Sequence, residues 1–154
     1  MSRLPFQRML VVCTGNICRS PIGEVMLRDR LLAAGADAEV ASAGTGAVVG
    51  AGAHEHTIEV LEERGLSARE HVARQFDASD SRFELILVME GGHKRWIERH
   101  YPQLAGRTYL LGHWLEEEIA DPIGRPLDTF RISLGHIERA VDSWLPRLGL
   151  SAGG

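Results

Sequence analysis

The stretch MLVVCTGNICRSPIGEVMLRDRLLAAG, residues 9–35, decides how the chain folds. It opens with a continuous apolar run, residues 9–12, which is typical of a strand buried on both faces. Ser20 and Pro21 provide a good helix start, with proline at the first helical position. Apolar residues then recur at helical spacing up to Gly35, which can end the helix in a left-handed turn. The stretch therefore predicts a buried strand, a short polar loop and a helix.

The rest of the chain repeats this alternation of strand and helix. Apolar runs predict strands at 39–43, 85–89 and 108–111, and helical spacing predicts helices at 54–64, 92–100 and 127 to about 148. Such alternation produces βαβ units and a parallel sheet. We therefore expect one α/β domain over residues 1–154, a doubly wound parallel sheet of about four strands with helices on both faces. Ligands bind beyond the carboxyl ends of such strands, which is where the loop after residue 12 lies.

Composition excludes several classes of partner. Hydrophobic residues make up 44% and charged residues 25% of the 154 positions, and the net charge is −4. This balance gives no basic footprint for nucleic acid and no polybasic patch for a membrane surface. The apolar runs are too short to span a bilayer, and residues 1–8, MSRLPFQR, contain no apolar signal core. We expect no nucleic-acid binding, no membrane binding and no export.

The number and spacing of the cysteines also indicate a protein that is not exported. The chain has two cysteines, Cys13 and Cys18, both in the loop after the first strand. A secreted disulfide scaffold would have more of them, spread more widely. The spacing is also unusual for a zinc site, so we expect no metal and no cofactor. A reduced, cytoplasmic compartment fits this pattern, and there a cysteine pair is more often catalytic or redox-active than structural.

The loop between the first strand and the first helix can cradle an anion. Backbone N–H groups point outward at a helix N-terminus. Gly15 allows a tight turn, and Asn16 tolerates left-handed backbone angles. Arg19 adds a planar guanidinium that matches two oxygens of a phosphate. Because no Gly-Lys-Ser/Thr follows, this is not a Walker loop. We expect it to bind a phosphate-sized dianion.

Cys13 lies at the floor of this predicted cradle. The positive potential of the helix start and of Arg19 favours a thiolate over a thiol. A thiolate that faces a bound phosphorus can displace an alcohol or phenol, leaving a phosphocysteine that water hydrolyses. Either residue alone would indicate only a buried cysteine and a surface arginine. The Cys-x5-Arg spacing from strand end to helix start, followed by Ser-Pro, instead indicates a cysteine-dependent phosphatase.

The segment VCTGNICRSP, residues 12–21, resembles the active-site signature of the low-molecular-weight protein tyrosine phosphatases. Further segments resemble family segments in the same order: SAGT (42–45), HVARQF (71–76), LILVME (85–90), LLGHW (110–114) and ADP (120–122). They run through most of the chain, and the bacterial members are the most similar. The resemblance implies a flavodoxin-like fold and hydrolysis of phosphotyrosine in proteins.

The resemblance implies a catalytic role at three matching positions. Cys13 would be the nucleophile, Arg19 the phosphate clamp and Asp121 the general acid. The last role is chemically reasonable, because a phenolate or alkoxide leaves faster when it is protonated.

The same resemblance implies supporting and substrate-binding residues. Ser20 would stabilise the thiolate as leaving group, and Asn16 would hold the loop in shape together with Ser42 and His71. Contacts with substrate would come from the loop and from the position after Asp-Pro: Thr14, Gly15, Asn16, Ile17, Cys18, Ser20 and Ile123. Family members commonly carry an aromatic residue where this chain has Ile123, so the slot for the phenol ring is expected to lack that wall.

Other functions are compatible with parts of this pattern. Arsenate reductases of the same fold share the Cys-x5-Arg loop, but their relay needs further cysteines that this chain lacks after Cys18. Protein arginine phosphatases have an active-site loop similar to CTGNTCRSP, with threonine where this chain has Ile17. A non-catalytic phosphopeptide-binding module would need neither Cys13 nor Asp121. The expected partner is a tyrosine-phosphorylated protein, a bacterial tyrosine kinase being one candidate, and the expected oligomeric state is a monomer.

Overall fold

The computed structural model of the protein describes residues 4–150. Its strands are β1 (Arg8–Cys13), β2 (Glu39–Gly44), β3 (Leu85–Val88) and β4 (Thr108–Leu110), and its α-helices are α1 (Arg19–Ala33), α2 (Glu55–Glu62), α3 (Gly91–His100) and α4 (Leu127–Trp144). All strand pairs are parallel, in the order β2-β1-β3-β4. The predicted α/β class and the four-stranded parallel sheet are confirmed.

The last helix differs from its predicted extent. Helical periodicity predicted one helix to about residue 148, whereas the α-helix ends at Trp144 and a 3₁₀ turn covers Leu145–Leu148. Pro146 explains the change, since proline has no N–H with which to continue the α-helical hydrogen-bond ladder.

Both faces of the sheet are covered by helices, which is why its central strands are apolar throughout. On β1, Met9 and Val11 pack with α1, α2 and α4, while Leu10 and Val12 pack on the opposite face with α3. All four of these side chains are fully buried. Consecutive residues of a strand point to opposite faces, so a two-sided core requires an unbroken apolar run.

The strand order creates a crevice between β1 and β3. The chain runs from β1 outward to β2, then returns to β3 and continues outward to β4. The connections therefore leave the carboxyl ends of β1 and β3 in opposite directions, and doubly wound sheets bind ligands at such a switch point. Cys13 ends β1 and Glu90 follows β3, so both flank this crevice. No helix between residues 4 and 150 is long and apolar enough to cross a membrane.

Candidate active site

The phosphate loop, residues 13–19, connects β1 to the first turn of α1. The Cys13 side chain is buried at its start, and its Sγ lies 3.0 Å from the Oγ of Ser20. Cys18 immediately precedes α1 and makes no side-chain cap to it. The free N–H groups of this helix start are therefore available to an anion bound in the loop.

Asn16 holds the phosphate loop in an unusual conformation. Its φ is +59°, in the left-handed region that asparagine tolerates better than most residues. The buried side chain donates from Nδ2 to Ser20 Oγ (2.7 Å) and to Ser42 Oγ (3.0 Å), and its Oδ1 accepts from the N–H of Arg74 (2.9 Å). The Asn16 carbonyl oxygen lies 2.6 Å from Nε2 of His71 and accepts from it. The structure thus brings together the predicted supporting residues around Asn16.

These contacts fix the direction of the hydroxyl protons. An amide nitrogen only donates, so Ser20 and Ser42 both accept from Asn16. The Ser42 hydroxyl then donates to Glu24 Oε1 at 2.6 Å. The Ser20 proton remains free to point at Cys13 Sγ, where it can stabilise a thiolate.

The loop after β2 supports the phosphate loop through its backbone. The N–H groups of Thr45, Gly46 and Val48 donate to the carbonyls of residues 13, 14 and 15, each at 3.0 Å. This approach requires glycine at position 44, because a Cβ there would lie 2.3 Å from the carbonyl oxygen of Thr14. The glycine-rich segment therefore shapes the cradle.

Arg19 is the largest charged side chain in the interior, with 1% of its surface exposed. Its Nη1 donates to a carboxylate oxygen of Glu90 and, at 2.8 Å, to the carbonyl oxygen of Ile119. Its Nη2 lies 3.6 Å from Oδ2 of Asp121. A buried guanidinium needs such partners, and they also fix its orientation. One side of the fork is thus bound to the protein while the other faces the slot.

The acid loop, residues 116–126, brings Asp121 to this point. It is tied to the end of β3 by a hydrogen bond from the N–H of Ile119 to the carbonyl of Met89 (2.9 Å), and Glu118 accepts from the N–H of Gly91 at the start of α3. Asp121 itself is 39% exposed, and its Oδ1 accepts from the N–H of Ile123 at 3.0 Å. The carboxyl group is therefore anchored by backbone contacts yet open to solvent.

A cavity of about 250 Å³ lies between the two loops. Its lining is formed by the phosphate loop, the acid loop and the loop after β2: Cys13, Thr14, Gly15, Ile17, Cys18, Arg19, Gly46, Val48, Asp121 and Ile123. Val48 is 51% exposed and Ile123 46% exposed, whereas Cys13 is only 2% exposed. The slot therefore has a buried floor at the sulfur and an open aliphatic rim, without an aromatic wall.

Some predicted site residues do not line the slot. The side chains of Asn16 and Ser20 are fully buried behind the phosphate loop, and those of Ser42 and His71 lie behind it as well. Any contact of Asn16 or Ser20 with a bound phosphate must therefore come from their backbone N–H groups. All four residues shape the cradle from the rear.

The two cysteines have different environments. Burial and, to a lesser extent, the Asp121 carboxylate and Cys13 raise the pKa of the Cys18 thiol to about 12, although Arg19 opposes this. Cys18 is therefore a neutral thiol at physiological pH. Cys13 alone has the Ser20 hydroxyl as a hydrogen-bond partner and the end of β1 as support.

Sequence reasoning gave no role to Glu90 or to His93. Glu90 ion-pairs with Arg19 across 71 residues of chain, and His93 contacts Thr14 across 79. The available signal was that a buried arginine requires a carboxylate, and that Glu90 follows the strand that becomes the neighbour of β1.

Comparisons with known proteins agree with this geometry. The family model for the low molecular weight phosphotyrosine protein phosphatase matches residues 8–151. The low molecular weight protein-tyrosine-phosphatase Etp of Escherichia coli strain K12 is 41% identical over 150 residues, 96% of this chain and 99% of its own. The probable low molecular weight protein-tyrosine-phosphatase AmsI of Erwinia amylovora is 44% identical over 142 residues, 91% of this chain and 96% of its own.

Solved structures give the same answer. The tyrosine phosphatase Wzb from Escherichia coli K30, determined in complex with sulphate, matches with a TM-score of 0.88 and 40% identity over 94% of this chain and 99% of that one. As the signature in residues 12–21 predicted, this chain belongs to the low-molecular-weight protein tyrosine phosphatase family.

Proposed function

We propose that this protein hydrolyses phosphotyrosine in proteins through a phosphocysteine intermediate. One observation carries the proposal: the sulfur of Cys13, the guanidinium of Arg19 and the carboxyl of Asp121 all line one slot of about 250 Å³. A nucleophile, an anion clamp and a proton donor are the three groups that phosphoryl transfer to a cysteine requires.

In the first half-reaction, the Cys13 thiolate attacks phosphorus and forms the S–P bond while the P–O bond to the tyrosine breaks. The oxygen electron pair takes a proton from Asp121, so tyrosine leaves as a neutral phenol. Arg19 and the backbone N–H groups at the start of α1 hold the three non-bridging oxygens throughout.

In the second half-reaction, water attacks the phosphorus of the phosphocysteine. The Asp121 carboxylate accepts a proton from that water, the S–P bond breaks, and inorganic phosphate forms. The sulfur leaves as a thiolate, which the Ser20 hydroxyl stabilises through the 3.0 Å contact. The protein therefore returns to its starting protonation state after one turnover.

Slot depth supports an aryl substrate. The nucleophile is buried while Val48 and Ile123 stand exposed at the rim, so a phosphate must reach the floor on a long side chain. Phosphotyrosine carries its phosphate at the end of a ring that can lie between the aliphatic side chains, whereas phosphoserine holds its phosphate close to the peptide backbone. The names of the relatives, as tyrosine phosphatases, point to the same class.

We extend the proposal to the biological setting. The protein acts as a monomer in a bacterial cytoplasm, where the reducing environment keeps Cys13 reduced. Its protein substrate is a tyrosine-phosphorylated protein, with an autophosphorylating bacterial tyrosine kinase as the leading candidate.

The test is a substrate panel of phosphotyrosine, phosphoserine and phosphoarginine peptides of identical flanking sequence, together with arsenate. We expect turnover of the phosphotyrosine peptide to exceed the others, and none by the Cys13→Ala variant. A preference for phosphoarginine, or arsenate reduction, would replace this proposal with a different activity of the same fold.

A further inference from the structure

His93 lies buried between the phosphate loop and the start of α3, with 6% of its surface exposed. Its Nε2 is 2.8 Å from Oγ1 of Thr14, the residue directly after the nucleophile. Its Nδ1 is 3.1 Å from the backbone nitrogen of Glu90, which donates to it. A single imidazole ring thus joins the two sides of the crevice between β1 and β3.

These contacts define the tautomer. A backbone N–H can only donate, so Nδ1 of His93 must be unprotonated. In the neutral ring the proton is then on Nε2, which donates to Thr14 Oγ1. Both ring nitrogens are used, and each is used in one direction.

The Glu90 contact connects His93 to the phosphate clamp. Glu90 is the residue whose carboxylate ion-pairs with Arg19, and His93 binds the backbone of that same residue. A shift of the Glu90 backbone would move the carboxylate that orients the guanidinium. His93 is therefore linked to Cys13 through Thr14 and to Arg19 through Glu90.

We propose that His93 is a positioning residue of this active site, which as a neutral imidazole fixes the phosphate loop at Thr14 and the backbone of Glu90, the partner of Arg19. The proposal rests on the proposed phosphatase function for its kinetic consequences. The geometry of the ring and the affinity for phosphate do not depend on that function.

Protonation would undo this arrangement. A proton on Nδ1 would face the N–H of Glu90, so two donors would point at each other. Burial and the nearby Arg19 on α1 lower the pKa of His93, while Glu90 beside it and Glu118 and Asp121 on the acid loop act in the opposite direction. The net shift is downward, so the neutral ring persists through the physiological range.

The kinetic test uses substitutions that separate the two hydrogen bonds. His93→Asn places an amide near Nδ1 without reaching Thr14, His93→Gln places an amide nitrogen near Nε2, and Thr14→Val removes the hydroxyl. We expect His93→Asn and Thr14→Val each to lower kcat/KM for an aryl phosphate by about 3- to 10-fold, as the loss of one hydrogen bond does. The double variant that combines His93→Asn with Thr14→Val should have a kcat/KM no lower than either single variant. His93→Gln should recover part of the loss seen in His93→Asn.

The matched control is His100→Asn on the exposed end of the same helix, which should leave kcat/KM unchanged. Multiplicative losses in the double variant would overturn the proposal, because they would mean that the two residues act independently.

A direct measurement is independent of turnover. Nitrogen NMR of the imidazole should show the Nε2-protonated tautomer of His93 at neutral pH, and calorimetry should show weaker binding of inorganic phosphate to His93→Asn and Thr14→Val. A charged ring or the Nδ1-protonated tautomer at neutral pH would refute the proposal even if the enzyme is active. Intact tautomer and phosphate binding without phosphotyrosine turnover would instead count against the proposed function alone.

Discussion

The phosphate loop and the acid loop face each other across the slot, yet the protein holds them in different ways. In the phosphate loop, Cys13, Asn16 and Arg19 are buried, and every polar group of the Asn16 side chain has a partner. In the acid loop, the hydrogen-bonded anchor at Ile119 is followed by an exposed tip that carries Asp121. In the proposed mechanism, the phosphate loop would hold the anion in a fixed geometry, and the exposed acid loop would give the Asp121 carboxyl access to water.

This difference has a physical reason. Groups that stabilise charge in a transition state work best when they are already oriented, since no energy is then spent on reorganisation during the reaction. A carboxyl group that first donates a proton to the leaving oxygen and then accepts one from the attacking water must be reached by that water, so it needs an opening to solvent. The comparison predicts that substitutions in the phosphate loop slow the reaction of every substrate. The effect of substitutions in the acid loop should instead depend on the pKa of the leaving group or on the aromatic ring of the substrate.

The largest effect is expected from Cys13→Ser. The variant should show no measurable turnover, because a serine hydroxyl in this cradle is a far weaker nucleophile than a thiolate, while phosphate or vanadate still binds. Steady-state assays and a binding titration check the two halves of this statement. Appreciable activity in Cys13→Ser would exclude the sulfur as nucleophile, and Cys18→Ser is the matched control for the loss of a thiol.

Asp121→Asn should separate the acid loop from the phosphate loop. An asparagine cannot protonate the leaving oxygen, so we expect kcat to fall by about 10²- to 10⁴-fold for poor leaving groups and much less for a nitrophenolate. A series of aryl phosphates with graded leaving-group pKa values measures this. Equal losses along the series would contradict the acid role, and Asp128→Asn, outside the slot, is the control.

Gly44→Ala tests the rigid support of the phosphate loop. The new Cβ would lie 2.3 Å from the Thr14 carbonyl oxygen and 3.1 Å from the Asn16 Cβ, so the loop must move. A misplacement of about 1 Å at a reacting centre can cost about 10²-fold in rate. The loss should be the same for good and poor leaving groups. Gly52→Ala, whose Cβ meets no atom closer than 3.9 Å, should behave like the wild type, and similar rates for both variants would show that the close approach is unimportant.

The phosphate loop could be predicted from local sequence, whereas the acid loop could not. Cys13, Arg19 and the helix start lie within a few residues of one another, so spacing alone indicated the cradle and its chemistry. Asp121 was predicted only through the resemblance, because no local pattern connects it to the loop, and the structure places it in the lining of the same slot.

Contacts between distant segments could not be read from spacing. Glu90 meets Arg19 and His93 meets Thr14 only because β1 and β3 are neighbours in the sheet. Helical and strand periodicity identify elements and their buried faces, but they do not give the order of strands. The rear contacts of Asn16 to the N–H of Arg74 and of Ser42 to Glu24 required the structure for the same reason.

The decrease of the free energy of unfolding at acid pH is a smaller effect, and it tests histidines whose pKa values are lowered by burial. Burial lowers the pKa values of His93 and of His54, whose Nδ1 accepts from the N–H of His56 at the start of α2. The unfolded chain therefore binds protons first as the pH falls below about 6.5, so the free energy of unfolding decreases between there and the lower native pKa. The slope is at most about 1.4 kcal/mol per pH unit for each histidine.

Urea denaturation as a function of pH measures this slope. His93→Gln should show a flatter dependence than the wild type in that acid range, while His100→Asn should follow the wild-type curve. An unchanged slope in His93→Gln would mean that His93 titrates alike in the folded and unfolded chains.

The smallest effect concerns the rim of the slot. Ile123 lines the slot together with Val48, and both are aliphatic side chains about half exposed to solvent. A phenol ring held against an aromatic face gains roughly 0.5–1.5 kcal/mol beyond the burial of area. Ile123→Tyr should therefore lower the KM for phosphotyrosine peptides by up to about tenfold, the equivalent of roughly 1.4 kcal/mol. The turnover number should change little, because the cradle and the sulfur are untouched.

The matched control for this change is Val49→Tyr, which adds the same ring at a neighbouring exposed position outside the slot. If both tyrosine substitutions lower KM equally, the gain comes from non-specific hydrophobic contact with the peptide and not from stacking in the slot. If Ile123→Tyr alone leaves KM unchanged or raises it, the ring of the natural substrate does not pass Ile123. In that case the acid loop contributes its carboxyl group to the reaction but no wall to the binding site, and the contrast between the two loops becomes sharper still.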